Sequence, residues 1–175
     1  MRLETPRTII RDYVIDDFKD VHLYAQKLDL CKFQVWGPNS EEDTMAFIEE
    51  AIAFAGVETT RTRYEMAIED KASGHVIGGV GLYLKSNNNL VAEIGYSIAP
   101  WKWRQGYGIE AAKAMTEYGL DVLNLHRLEG TCDVRNIGSA KILEGCGLVR
   151  EGHIRSHILL RDGWRDSYLY GYVKD

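Results

Sequence analysis

The sequence predicts an α+β, or mixed α/β, domain built on one central sheet. Three observations carry that expectation. Segments 64–70, 75–85 and 90–98 are strand-like runs in succession, which makes an antiparallel meander. The step Gly106-Tyr107-Gly108 then joins the last of them to a helix-spaced stretch and a further strand. Finally, two strands flank the turn Arg161-Asp162-Gly163, and the second of them concentrates Trp164, Tyr168, Tyr170 and Tyr172.

In chain order, TIIRDYVI (8–15) reads as the first strand, and the Asp16-Asp17 pair opens a short helix over 16–28. Pro38 marks a turn. Ser40 followed by Asp43 stands where a helix cap belongs, with Met45, Ile48, Ala51 and Ile52 as the apolar stripe behind it. In the meander, YEMAIED is separated from HVIGGVGLYLK by a turn at 71–74, and LVAEIGYSI follows a turn at Asn87, Asn88 and Asn89. Pro100 ends the meander. Apolar positions at Ile109, Ala112, Met115, Gly119 and Val122 give a helix over 108–123, and LEGTCDV (128–134) alternates as a strand. The order strand, helix, strand implies that 128–134 pairs in parallel with the strand ending at Ile98. A short helix over 136–146 precedes the last two strands, where Tyr168, Tyr170 and Tyr172 form one face of a buried or edge strand.

A chain of 175 residues is long enough to bury a core as one domain without disulfide or metal support. Its 45% hydrophobic and 27% charged residues are ordinary for a soluble globular protein, and no repeat or linker marks a second domain. With 21 Lys+Arg against 26 Asp+Glu the formal charge is −5, which disfavours nonspecific binding to nucleic acid and suits a cationic substrate. Cys31, Cys132 and Cys146 lie far apart with no C-x-x-C pair, so reduced thiols in the cytoplasm are expected, with neither a disulfide framework nor a zinc site. The amino-terminal segment is charged from its second residue, unlike a signal peptide, and there is no apolar run of transmembrane length.

The stretch WKWRQGYGIEAAKAM, residues 101–115, places glycines just before a helix start. Free N–H groups at such a start carry partial positive charge, and glycine lets the backbone approach an anion closely. A tight strand-to-helix turn and an anion cradle both fit this pattern. Spacing excludes two alternatives: no Lys-Ser or Lys-Thr follows, as a P-loop needs, and position 111 is Ala where a dinucleotide fingerprint would have glycine.

The segments AEIGYSIAPWKWRQGYGIEAAKAM, NLHRLEGTCDVRNIGSAKILEGCGLVREG and DGWRDSYLYGYV resemble the GNAT acetyltransferases, in particular the branch containing the ribosomal-protein N-terminal alanine acetyltransferases. The resemblance extends over nearly the whole chain, including VWGPNSEEDTMAFIEEA. It implies a central, mostly antiparallel sheet, flanked by helices, whose parallel strand pair splays apart to admit the pantetheine arm of acetyl-coenzyme A. By the same resemblance, Tyr96, Ser97 and Ile98 offer backbone groups to the pantetheine amides. Arg104, Gln105, Gly106, Tyr107, Gly108 and Ile109 wrap the diphosphate, and Asn136 adds a coenzyme contact. Trp103 departs from the Arg or Gln that begins the family's loop pattern, leaving Arg104 to supply the positive charge.

Acetylation of an amine needs an unprotonated nitrogen, donors for the oxyanion and a proton for the leaving thiolate. Glu93 lies on the strand before the loop, on the same side as Gly95 and Ser97, and is a candidate base; a solvated strand glutamate is the bland alternative. Asn136 and Ser139 suit helix capping. The tyrosine that many family members place as general acid falls at position 143, which is Leu here. Ser139 is the substitute, relaying a proton through water. None of the five histidines has metal-ligand spacing; His126, His153 and His157 read as surface or packed groups, with His157 an alternative base. Trp36 and Tyr83 suit either the acceptor cleft or the core.

The sequence-level expectation is a cytoplasmic N-acetyltransferase that needs no metal, passing acetyl directly from acetyl-coenzyme A to a peptide amino terminus, polyamine, aminoglycoside or other small amine. No membrane or nucleic-acid partner is expected, and a homodimer fits such families. Leu143 keeps a second reading open, a catalytically silent coenzyme-A-binding sensor or interaction domain.

Overall fold

In the computed structural model the strands are β1 (Arg2–Glu4), β2 (Thr8–Asp12), β3 (Arg63–Asp70), β4 (Val76–Ser86), β5 (Val91–Ile98), β6 (Arg127–Asp133), β7 (Val149–Leu160) and β8 (Gly163–Val173). The helices are α1 (Phe18–Ala25), α2 (Leu28–Cys31), α3 (Glu41–Ala55), α4 (Tyr107–Asp121) and α5 (Ile137–Gly145). The structure describes residues 1–57, 61–86 and 90–174. The expected turn at Asn87, Asn88 and Asn89 lies outside the described residues.

All eight strands join one sheet in the order β1-β2-β3-β4-β5-β6-β8-β7. Every neighbouring pair is antiparallel except β5 with β6. That parallel pair is in register only from Val91, Ala92 and Glu93 opposite Arg127, Leu128 and Glu129. Beyond Glu93 the two strands part, so the mixed α/β class and the splayed parallel pair are both present.

Two-residue alternation sends successive side chains to opposite faces and gives the sheet two cores. Met66, Ile68, Val80, Leu82 and Ile94 pack with Met115 of α4 and Leu143 of α5. On the other face, Ala67 and Val76 pack with Val21 of α1, Ile48 of α3 and Tyr13. Glu65, two residues before Ala67, therefore faces α1 and α3.

The helix starts follow local chemistry. Ser40 accepts a hydrogen bond from the Asp43 amide at 3.1 Å, while Asp43 accepts from the Ser40 amide at 3.0 Å, so the expected cap is a reciprocal capping box. No helix among the described residues is long and apolar enough to cross a membrane.

Some boundaries differ from the sequence expectation. The first strand ends at Asp12 rather than 15, because Asp17 accepts from the Val14 amide at 2.9 Å and from both Arg11 Nη atoms at 2.8 Å, folding 15–17 into a single 3-10 turn. The helix expected over 16–28 breaks after Ala25 and restarts at Leu28. A short strand, Arg2–Glu4, precedes the expected first strand and pairs with it. Of the two positions expected for the tyrosine-rich strand, buried or edge, β8 takes the inner one between β6 and β7, with Tyr170 buried in the α4-side core and Tyr168 and Tyr172 packed against it.

Candidate active site

Gly106 is the N-cap of α4 and takes the left-handed conformation at φ 86°, which favours glycine. A Cβ there would also stand 3.1 Å from Arg7 Nη2. Arg7 is a cation that sequence reasoning missed. It donates to the Gln105 carbonyl at 2.8 Å, pairs with Glu110 at 2.6 Å and lies 4.5 Å from the Tyr107 ring centre. Lys102, ion-paired with Asp70 at 2.8 Å, is also a cation–π neighbour of Tyr107, 5.0 Å from its ring centre. The Tyr107 ring is buried between these two cations. Gly108 admits close helix packing, since a Cβ would come 2.8 Å from Ile142 Cδ1. Ile109 packs over Gly145 of α5. Arg104 is exposed, with φ 59°.

The departure at Trp103 has a physical account. Its indole N–H donates to the Ile98 carbonyl at 2.6 Å, bracing the loop against the end of β5. The Ile98 carbonyl thereby already has a donor.

Across the splay, the Tyr96 hydroxyl donates to the Ser139 carbonyl at 2.8 Å and lies 3.0 Å from Ser139 Oγ. The sequence pointed to the Tyr96 backbone alone; its side chain is what ties β5 to α5. Burial raises the Tyr96 phenol above its ordinary range, so it stays a protonated donor. Asn136 caps α5 by accepting from the Ser139 amide at 3.1 Å, as its sequence context indicates. Leu143 is buried over Gly130, where a Cβ would fall 2.5 Å from Leu143 Cδ2.

Tyr96, Ser97, Asn136 and Ser139 line a cleft of about 1030 Å³ from its β5–α5 side, whereas Ile98 and the loop residues Arg104, Gln105, Gly106, Tyr107, Gly108 and Ile109 are not among its lining. Glu65, Tyr83 and Glu93 line the same cleft from the sheet face under α1 and α3, with Trp36 on its wall. Glu93 is not a free carboxylate: Lys85 Nζ lies 3.0 Å from it and 3.0 Å from Glu129, and Thr131 Oγ1 donates to it at 3.3 Å. Glu65 is more deeply set, and the Tyr83 hydroxyl lies 2.9 Å from each of its oxygens. Sequence reasoning missed it because Glu65 alternates with Ala67 and Glu69 and reads as a solvent face. The available signal was the neighbouring strand, HVIGGVGLYLK, whose interior glycines mark a close approach.

The histidines sit elsewhere. His153 pairs with Asp166 at 2.9 Å, the backbone of His126 bonds Leu90 and Lys174, and His157 is outside the cleft lining. Cys132 does line the cleft, with its thiol pushed up to about 11 by burial. Among the described residues no cluster of His, Cys, Asp or Glu could hold a metal ion.

The geometry has a known kindred. Residues 7–149 match the acetyltransferase (GNAT) domain. The uncharacterized N-acetyltransferase YnaD of Bacillus subtilis (strain 168) is 30% identical over 175 residues, all of this chain and 98% of that protein. The ribosomal-protein-S5-alanine acetyltransferase of Vibrio fischeri shares the fold at a TM-score of 0.88 and 18% identity, over 100% of this chain and 97% of that one. The spermidine N-acetyltransferase of Vibrio cholerae, solved with CoA and spermine, superposes at 0.81 with 19% identity, over 97% and 96% of the two chains. From a domain match spanning most of its length and a relative aligned from end to end, the chain belongs to the GNAT acetyltransferase family.

Proposed function

We propose that the protein passes the acetyl group of acetyl-coenzyme A directly to the nitrogen of an amine. One observation carries this reading: Tyr96, Ser97 and Asn136, expected at the coenzyme, line one cleft together with Glu65, Tyr83, Glu93 and Trp36, while the loop 104–109 lies outside that lining. Two substrates held together there react with the entropic cost of encounter already met.

The residues present fit the coenzyme. The left-handed Gly106 and the first N–H groups of the 15-residue α4, beside Arg7 and Arg104, suit a diphosphate. Tyr96 and Ser97, where β5 leaves β6, suit the pantetheine amides. When bound, acetyl-coenzyme A supplies the activated acyl group. The chain's own part is to orient the amine, accept its proton through the cleft carboxylates and water, and place the Ser139 hydroxyl where a proton can be relayed to the leaving sulfur. Ser139 is held for this by Tyr96 and by the Asn136 cap. A covalent acetyl-enzyme is disfavoured, since the Cys132 thiol is protonated at neutral pH and the thiolate is the nucleophile.

Acetyl-coenzyme A is expected to raise the melting temperature of the wild type, and Gly106→Glu, which puts bulk and negative charge into the loop, to abolish that shift. Thioester cleavage should then appear with members of a panel of peptide amino termini, polyamines, aminoglycosides and simple alkylamines. No shift at millimolar ligand would overturn the donor assignment, and binding without turnover on any amine would overturn transfer.

A further inference from the structure

Glu65 is a carboxylate that the fold alone gives no reason to bury. It is 9% exposed, in the middle of β3. Among the described residues its hydrogen-bond donor is one neutral phenol, Tyr83, shared between its two oxygens. The nearest cation, Arg63 Nη2, stands off at 3.6 Å, while Arg63 Nη1 bonds Glu50 at 2.9 Å and the guanidinium stacks 4.6 Å from the Phe54 ring centre. A buried carboxylate is costly unless it is paired and hydrogen-bonded, and these partners compensate it only in part.

The strands beside it are pared to glycine, which lets two tyrosines lie close over the sheet. Glu65 stands opposite Gly81, and Gly81 opposite Gly95, so a lane of glycines crosses from Glu65 to the strand that splays from β6. The Tyr83 ring lies over this lane: a Cβ at Gly95 would come 3.0 Å from Tyr83 Cε2, and one at Gly81 3.0 Å from the Tyr83 hydroxyl. At Gly79 a Cβ would fall 2.5 Å from the Tyr13 hydroxyl. Two strand spacings, about 10 Å, separate the Glu65 backbone from β5. Aromatic Tyr13, Phe47 and Trp36 wall the cleft above this floor.

We propose that Glu65 is the ammonium-binding group of the acceptor site, receiving an alkylammonium cation against the Tyr83 ring and hydroxyl. Such a cation completes the compensation that Tyr83 and Arg63 begin, and the ring face adds cation–π attraction. The inference rests on the proposed amine acceptor and names the side chain that selects for it. Its chemistry is shared by the reacting nitrogen and by a second, remote ammonium of a diamine.

Steady-state kinetics with n-hexylamine and with 1,6-diaminohexane, on wild type and Glu65→Gln, tests the inference. The isosteric variant is expected to raise the amine KM at least tenfold and leave the acetyl-coenzyme A KM and its melting shift unchanged. Loss with both amines places the reacting nitrogen at Glu65, and loss with the diamine alone places the remote one there. An unchanged KM for both in an active enzyme overturns the ammonium site and leaves acetyl transfer standing. Calorimetric titration of the same amines separates the failures: binding that the Gln variant loses, with no turnover in the wild type, overturns transfer and leaves the site.

Discussion

Burial holds the Glu65 carboxyl above the ordinary carboxylate range, against the pull of the Tyr83 hydroxyl and the Arg63 guanidinium. The other groups facing it are Glu50 of α3, Tyr24 of α1 and Tyr13, and burial raises both of these phenols so that they stay neutral. In the unfolded chain the carboxyl ionises at its ordinary value, whereas in the folded chain it resists. Stability is therefore fully retained below the unfolded value and declines as pH rises through the folded one. Glu65→Gln is expected to melt above the wild type at pH 7 to 8, with the gap closing toward pH 4. Thermal melts across that range check it; a gap of equal size at both ends would assign the effect to packing. The residues legible in the sequence are those whose requirement is local: Gly106 needs a left-handed N-cap, and Asn136 caps the amide three residues on. Glu65 and Arg7 were not legible, because what defines them, Tyr83 and Glu110, lies 18 and 103 residues away.

At the scale of elements, the meander β3-β4-β5 and the unit β5-α4-β6 were legible because alternation, a glycine step and helical spacing each mark a different period. The end of β2 and the start of α1 were not, because Asp17 redirects the chain through side-chain bonds to Val14 and Arg11 that periodicity does not encode. The splay itself was implied only by family resemblance, since nothing in 94–98 or 130–133 says where a parallel pair stops. One tie across the opening is the Tyr96 hydroxyl, which fastens the first turn of α5 to β5. Tyr96→Phe removes that fastening without changing the ring. Turnover is expected to fall roughly tenfold, an order of 1.4 kcal/mol in the barrier, with the acetyl-coenzyme A KM little changed. A lower melting temperature with unchanged kcat would reduce the bridge to a structural tie.

Over the whole molecule, one wall of the cleft, on the side proposed for the acceptor, is closed by the far end of the chain. Arg161, at the tip of the β7–β8 hairpin, donates to the carbonyls of Cys31 at 3.2 Å, Gln34 at 3.4 Å and Trp36 at 2.9 Å. Arg165 adds the Phe33 carbonyl at 3.0 Å, from a buried position supported by Ser167. A guanidinium presents five donors in a fixed fork, so two arginines can hold four carbonyls from Cys31, the last residue of α2, to Trp36 in the irregular segment that follows. Backbone carbonyls carry no residue signature, which is why a clamp spanning 125 to 132 residues of sequence was invisible there. The clamped segment carries Phe33, Gln34, Val35 and Trp36 into the cleft lining. Arg161 is exposed, so its loss leaves no buried cavity and acts on the segment more than on the core. Each carbonyl bond contributes about 0.5–1.5 kcal/mol net, enough together to shift the segment's local opening by an order of magnitude or more. Arg161→Ala is therefore expected to speed limited proteolysis within 32–38 and to raise the amine KM about tenfold, leaving the acetyl-coenzyme A KM and the loop before α4 untouched. Equal cleavage rates and an equal amine KM would mean that the wall stands without the hairpin; a rise in both KM values would mean that the two halves of the cleft move as one body.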